Sequence, residues 1–321
     1  MALTETSLIE RYFRAAGAQR SDVTLGIGDD AAILSVPPGS ALVATTDTLV
    51  AGVHFPHGSP AASIGHRALA VNLSDLAAMG ARPAWALLAL TLPEAQDAWL
   101  QEFSAGLGAL AQEYRVALVG GDTTQGPLCV TVQLLGLVPA DAALRRGGAR
   151  AGDALFVSGT PGDAAAGLAL EERRLEAPRA AAEYLRERFL LPSPRVALGE
   201  RLREYASACI DVSDGLLGDA GKLAQASGVE LELLFEALPV SEALRATLGD
   251  EGARRLALSG GDDYELCFTV PDANITQLHA QLPPAQWGYA RIGSVRAGAG
   301  AHVLRDGTVM EFSHSGYQHF S

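Results

Sequence analysis

Residues 41–47, ALVATTD, read as an apolar β-strand running into two threonines and an aspartate. The same figure returns at 116–122, VALVGGD, and at 208–211, ACID, where Ser213 and Asp214 follow. A single aspartate at a strand end is ordinarily a turn or a helix cap. Three such ends, spread over both halves of a chain whose other segments alternate between helix and strand patterns, mark a mixed α/β protein.

Outward from 41–47, a strand is predicted at 31–36, joined by the turn Pro37-Pro38-Gly39-Ser40. Upstream, residues 5–16 predict a helix opened by a Ser7/Glu10 capping box. Downstream come a helix at 60–79 closed by Gly80, a strand at 85–92, a helix at 94–114, and strands at 116–119 and 128–138. Between 139 and 153 the sequence turns polar and rich in Gly, Ala and Arg (PADAALRRGGARAGD), which predicts a boundary between a first domain, 1–139, and a second, 140–321. The second region predicts strands at 154–157, 208–212, 229–234, 264–270, 289–295 and 301–304, with Asp306-Gly307 as a hairpin turn.

Composition narrows the class. The 321 residues carry 37 acidic and 24 basic side chains, a formal charge of −13, which disfavours a protein that tracks nucleic-acid phosphates. With 48% hydrophobic and 19% charged residues the chain is folded rather than disordered. Cys129, Cys209 and Cys267 lie far apart in apolar stretches and read as reduced core thiols, neither a disulfide set nor a zinc cluster. The opening MALTETSLIERYF lacks the basic-then-apolar pattern of a secretory signal, and apolar runs such as 85–92 are too short to span a bilayer. A cytoplasmic location is the expectation.

Lys222 is the single lysine in the sequence, and with leucine at 216 and 223 its surroundings fail the P-loop pattern twice. Residues 26–31, GIGDDA, fit G-x-G-x-x-A. A predicted strand follows where a helix should begin, and two carboxylates stand where a pyrophosphate would lie, so the dinucleotide reading fails. Asp29 and Asp30, Asp47, Asp75 (the only charge between 68 and 81), Asp122, and Asp211 with Asp214 would repel one another if they converged. A bound cation would resolve the conflict. Oxygen donors, with the Thr45 and Thr46 hydroxyls beside Asp47, point to Mg²⁺, which usually binds together with substrate phosphates and hence with a nucleotide. Gly120-Gly121-Asp122 and residues 158–163 (SGTPGD) are places where backbone comes close to a ligand, or plain turns.

The blocks GIGDDAA, TTDTLVAGVHF, VNLSDLAAMGARP, LVGGDTT, DVSDGL and SGGDDYELCF, in this order, resemble the thiamine-monophosphate kinases of the superfamily that includes aminoimidazole ribonucleotide synthetase. The resemblance runs from Gly26 nearly to the C-terminus. It implies a two-domain aminoimidazole ribonucleotide synthetase-like fold, a homodimer with a barrel-like interface between N-terminal domains, and transfer of the γ-phosphoryl group of ATP onto thiamine monophosphate. It also implies metal ligands at Asp30, Thr45, Thr46, Asp47, Asp75, Asp122, Asp211 and Asp214, nucleotide contacts at Gly121, Asp122, Arg146 and Ser213, and substrate contacts at His54, Asp262 and Tyr317. Many relatives carry Glu at the position of Asp262, and Trp or Phe at that of Tyr317.

A phosphate acceptor is already ionised near neutral pH, its second pKa being about 6. No protein nucleophile or base is therefore assigned; several Mg²⁺ ions would bridge donor and acceptor. The alternatives are another ATP-using enzyme of the superfamily and a non-catalytic nucleotide- or metal-binding module.

Overall fold

The computed structural model describes residues 4–312 and 316–317. The chain divides into two compact units, residues 1–76 with 81–142, and residues 77–80 with 143–321.

The first unit begins with a single helical turn, α1 (Glu5–Leu8), that widens into a π-helical turn over Ile9–Phe13. Its capping box is formed by Thr4 and Ser7 rather than by Ser7 and Glu10: with the helix starting at Glu5, Thr4 is the N-cap and Ser7 falls at the third helical position. A small ribbon, β1 (Val23–Leu25) and β2 (Ile33–Leu34), precedes β3 (Ser40–Val50), α2 (Ala61–Ala78), β4 (Arg82–Leu92), α3 (Asp97–Glu113), β5 (Ala117–Gln125) and β6 (Cys129–Pro139). The main sheet runs β3-β6-β4-β5, antiparallel except for the β4–β5 pair.

Two sequence-based expectations change here. Asp47 and Asp122 lie inside β3 and β5, not at their ends, because pairing with β6 and β4 carries both strands through the polar residues. The helix pair α2 and α3 crosses closely through small residues: a Cβ on Gly65 would sit 2.2 Å from the Phe103 carbonyl oxygen, and one on Gly106 2.0 Å from that of Ala62. No side chain larger than hydrogen fits either place.

The second unit holds β7 (Ala154–Ser158), α4 (Asp163–Glu171), α5 (Arg179–Leu190), α6 (Val196–Leu202), β8 (Ala208–Val212), α7 (Leu216–Ser227), β9 (Glu230–Leu234) and α8 (Glu242–Ser259). After these come β10 (Glu265–Val270), α9 (Asp272–Gln281), α10 (Pro284–Trp287), β11 (Tyr289–Arg296), β12 (Gly300–Arg305) and β13 (Thr308–Met310). Its seven-stranded sheet has the order β13-β12-β9-β11-β7-β10-β8, antiparallel except for β12 on β9. Strands β7, β8 and β10 are buried along their whole length, which explains why they read as unbroken apolar runs. Asp306 and Gly307, both at positive φ, turn β12 into β13 as the Asp-Gly pair predicts.

Candidate active site

Residues paired across a ladder share a face, so register decides which carboxylates can meet. Asp47 lies in a row with Val132, Leu88 and Gly121, whereas Asp122 lies in the next row with Ala89, Thr131 and Thr48. The two rows face opposite sides of the sheet. Helix α2 lies on the Asp47 side: Leu76 fills the space that a Cβ on Gly136 would need, and the Thr45 hydroxyl donates to an Asp75 carboxylate oxygen. Burial raises the Asp47 pKa from its ordinary 3.8 to about 6, and the Asp75 charge adds to the rise. Two carboxylates and a threonine hydroxyl offer the oxygen donors that a hard divalent cation takes.

On the other side of the sheet, Asp30, Thr46, Gly121 and Asp122 line a cavity of about 900 Å³ roofed by Ile9 and Phe13. Packing requires the glycine at 121: its φ is +149°, and a Cβ would lie 1.8 Å from the Leu88 carbonyl oxygen of β4. Among the described residues no three His, Cys, Asp or Glu side chains close into a metal cage. Register thus splits the first unit's predicted ligands into two sets, Thr45 with Asp47 and Asp75, and Asp30 with Thr46 and Asp122.

His54 follows β3 in a tight loop. The Val50 N–H donates to its Nδ1 at 3.0 Å, so the proton of the neutral ring resides on Nε2. The buried Arg67 guanidinium, 3.5 Å from the His54 carbonyl oxygen, ties the loop to α2.

In the second unit the predicted residues gather at the C-terminal end of β8. Asp211 is buried within the strand opposite Leu266 of β10. The Ser213–Gly215 turn then receives two other segments: the Asp262 N–H donates to the Ser213 carbonyl at 2.8 Å, and the Tyr317 N–H to the Asp214 carbonyl at 3.0 Å. Asp262 and Tyr264 both take left-handed φ values, +68° and +52°, a conformation held by these bonds and by the Tyr264 hydroxyl donating to Asp262 at 3.1 Å. The Tyr317 side chain is half exposed. Arg146 stands apart, exposed beside the start of β8, where the neighbouring Arg145 carbonyl accepts from Cys209 and its own from Ser227.

Sequence reasoning missed two residues at this turn. Asp219, 1% exposed in the first turn of α7, accepts the N–H groups of Ser213, Asp214 and Gly215 on one oxygen at 3.0, 3.0 and 3.2 Å. Lys222 donates to its other oxygen at 2.7 Å and to Asp214 at 2.5 Å. Burial raises the Asp219 pKa even against Lys222. For Lys222 burial acts downward, and the two carboxylates outweigh it and raise the pKa. The signal was present in the sequence: Asp219 is a lone acid in an apolar helix, just as Asp75 is.

Asp263 and Glu265 of the DDYE segment hold structural positions, and Asp263 also ties down the 158–163 loop. Asp263 accepts from the Gly162 and Ala164 N–H groups, so the α4 N-terminus is capped by the chain's own carboxylate. Glu265, fully buried, accepts from Arg188, from two nitrogens of Arg195 and from Ser158. Burial pushes its pKa up, and the two guanidiniums outweigh burial and hold it below the usual range.

Fold and acidic strands together define a two-domain protein of the AIR synthase related class. Residues 28–138 match the AIR synthase related protein N-terminal domain and residues 150–304 its C-terminal domain. Over its full length the chain is 49% identical to the thiamine-monophosphate kinase of Salmonella typhimurium and 48% to that of Escherichia coli K12, covering 99% of each. It superposes with a TM-score of 0.88 on the thiamine-monophosphate kinase of Stenotrophomonas maltophilia, at 50% identity over 97% of this chain and 99% of that one. AaThiL, complexed with AMPPCP and TMP, matches with a TM-score of 0.78 at 36% identity over 92% of each chain. The chain belongs to the thiamine-monophosphate kinase family.

Proposed function

We propose that this chain phosphorylates thiamine monophosphate to thiamine diphosphate at the expense of ATP. The observation that carries this reading is identity of 49% over the full length with a thiamine-monophosphate kinase. The AaThiL complex with AMPPCP and TMP supports the choice of the two substrates.

Donor and acceptor are both polyanions, and the protein itself carries −13, so the chief obstacle is electrostatic. Bound Mg²⁺ ions supply charge neutralisation and in-line alignment of the two phosphates. The Asp47–Asp75 pair with Thr45, the cavity-facing Asp30 and Asp122 with Thr46, and Asp211 with Asp214 are the groups that would hold them. Ser213 and Arg146 offer donors to the nucleotide; Gly121 borders the cavity that Asp30 and Asp122 line. His54, as an Nε2–H donor, offers a neutral hydrogen bond to the anionic substrate; Asp262 and Tyr317 provide a carboxylate and an aromatic face. No side chain is needed as nucleophile or base.

The N-terminal domain in this reading carries metal and nucleotide and also dimerises. The alternating outward residues of β3, Leu42 (48% exposed), Ala44, Thr46 and Thr48, offer a face for a second copy of the sheet. A cytoplasmic site of action accords with three unpaired cysteines, and among the described residues no helix is long and apolar enough to cross a membrane. The test is incubation with ATP, Mg²⁺ and thiamine monophosphate, scored for thiamine diphosphate with and without excess chelator. Formation of product that chelator leaves untouched rules out the metal reading; no product at all rules out the kinase reading.

A further inference from the structure

The three N–H groups of Ser213, Asp214 and Gly215, at the N-terminus of α7, form the kind of nest that commonly seats a phosphate. Here the nest is filled by the chain's own Asp219. The remaining oxygen of Asp219 is bound by Lys222, whose ammonium reaches one carboxylate oxygen of Asp214 as well. The only lysine of the sequence therefore stands against a candidate metal ligand, between two carboxylates, Asp214 and Asp219. A phosphate cannot displace Asp219 without stranding that buried carboxylate.

We propose that Lys222 is a positioning residue that acts as a resident monovalent cation on Asp214. It reserves one oxygen of that carboxylate, orients the other, and cancels one unit of charge, so that a divalent ion binds at this turn only when it arrives with a nucleotide. The inference rests on Asp214 being a cation ligand, as argued above. Charge accounts for the direction: with Lys222 the two carboxylates carry a net −1, enough to hold a nucleotide-borne ion shared with phosphate oxygens but weak for a free one. Without it they carry −2.

The test is Mn²⁺ binding to the full chain, followed by electron paramagnetic resonance of free Mn²⁺ at low ionic strength, with and without a non-hydrolysable ATP analogue. Lys222→Met is expected to tighten nucleotide-free Mn²⁺ binding about thirtyfold, the effect of removing one unit charge about 4 Å from a divalent ion in water. Lys222→Arg should keep the parental affinity, and Asp214→Asn added to Lys222→Met should erase the gain. An unchanged affinity in Lys222→Met, or a gain that survives Asp214→Asn, overturns the role given to Lys222. If Asp214→Asn alone leaves nucleotide-dependent Mn²⁺ binding intact, the assignment of Asp214 as a ligand fails instead. Thermal unfolding of each variant identifies a fold defect, and Lys222→Gln, which removes the charge but keeps a hydrogen-bond donor to the carboxylates, decides the matter if Lys222→Met is unstable: no gain in nucleotide-free Mn²⁺ affinity there overturns the role given to Lys222.

Discussion

Asp47 offers a perturbation whose sign is opposite to that of most buried substitutions. Its pKa is raised from 3.8 to about 6 by burial and by the charge of Asp75. A carboxyl raised in the folded state is easier to ionise in the unfolded chain. Its contribution to stability is therefore complete below pH 3.8 and is lost as pH rises through 6. At about 1.4 kcal/mol for each pKa unit, the ionised Asp47 destabilises the metal-free fold by about 3 kcal/mol at pH 8. Asp47→Asn keeps the shape and removes the charge. It should raise the unfolding temperature of the first unit at pH 8 by roughly 6–12 °C, taking 2–4 °C for each kcal/mol, with the gain vanishing toward pH 4. Mg²⁺ should stabilise the parent by offsetting the same charge, and should stabilise Asp47→Asn less. The assay is thermal unfolding by circular dichroism at pH 4, 6 and 8, with and without Mg²⁺, alongside thiamine diphosphate formation, which the variant should lose. An Asp47→Asn protein that unfolds at or below the parental temperature at pH 8 would refute the electrostatic account of the Asp47–Asp75 pair.

Three further outcomes are expected. Asp122→Ala, at an exposed position on the cavity side, should reduce turnover at least about 100-fold while shifting stability by no more than about 0.5 kcal/mol; parallel loss of both would mark it as structural. Glu265→Ala removes the acceptor of two guanidiniums and should cost about 3–5 kcal/mol in urea unfolding of the second unit. Because the Glu265 pKa is depressed, the stability this group confers should be present above its unfolded value near 4.5 and fall away as pH drops through the folded one, which the parent's acid-unfolding curve will show. Gly106→Ala places a methyl 2.0 Å from the Ala62 carbonyl oxygen and should lower the denaturant midpoint by the equivalent of about 1–3 kcal/mol; an unchanged midpoint would mean that α2 and α3 separate freely.

Much of this protein is legible locally. The continuous apolar runs of β7, β8 and β10, the Gly80 stop after α2 and the Asp-Gly turn into β13 follow from side-chain period and backbone preference, which each residue carries with it wherever the chain goes. Chemistry is legible in the same way: lone acids in apolar elements announced Asp47, Asp75 and Asp122, and the ordered blocks placed the chain among thiamine-monophosphate kinases. Extent and facing are not. Polar residues 45–48 look like the end of a strand until β6 pairs with them, and only that register sends Thr46 and Asp122 to one side of the sheet and Asp47 to the other.

The same division holds at the β8 turn. The sequence by itself determined that a carboxylate-rich turn follows an apolar strand, because composition and order are properties of neighbouring residues. Only the tertiary structure decided that Asp219 occupies the nest, that Lys222 stands on Asp214, and that Asp262 and Tyr317 are drawn to the same turn. Those facts depend on hydrogen bonds between residues up to about a hundred positions apart, formed when β10, α7 and the C-terminal segment pack together and invisible to any local pattern.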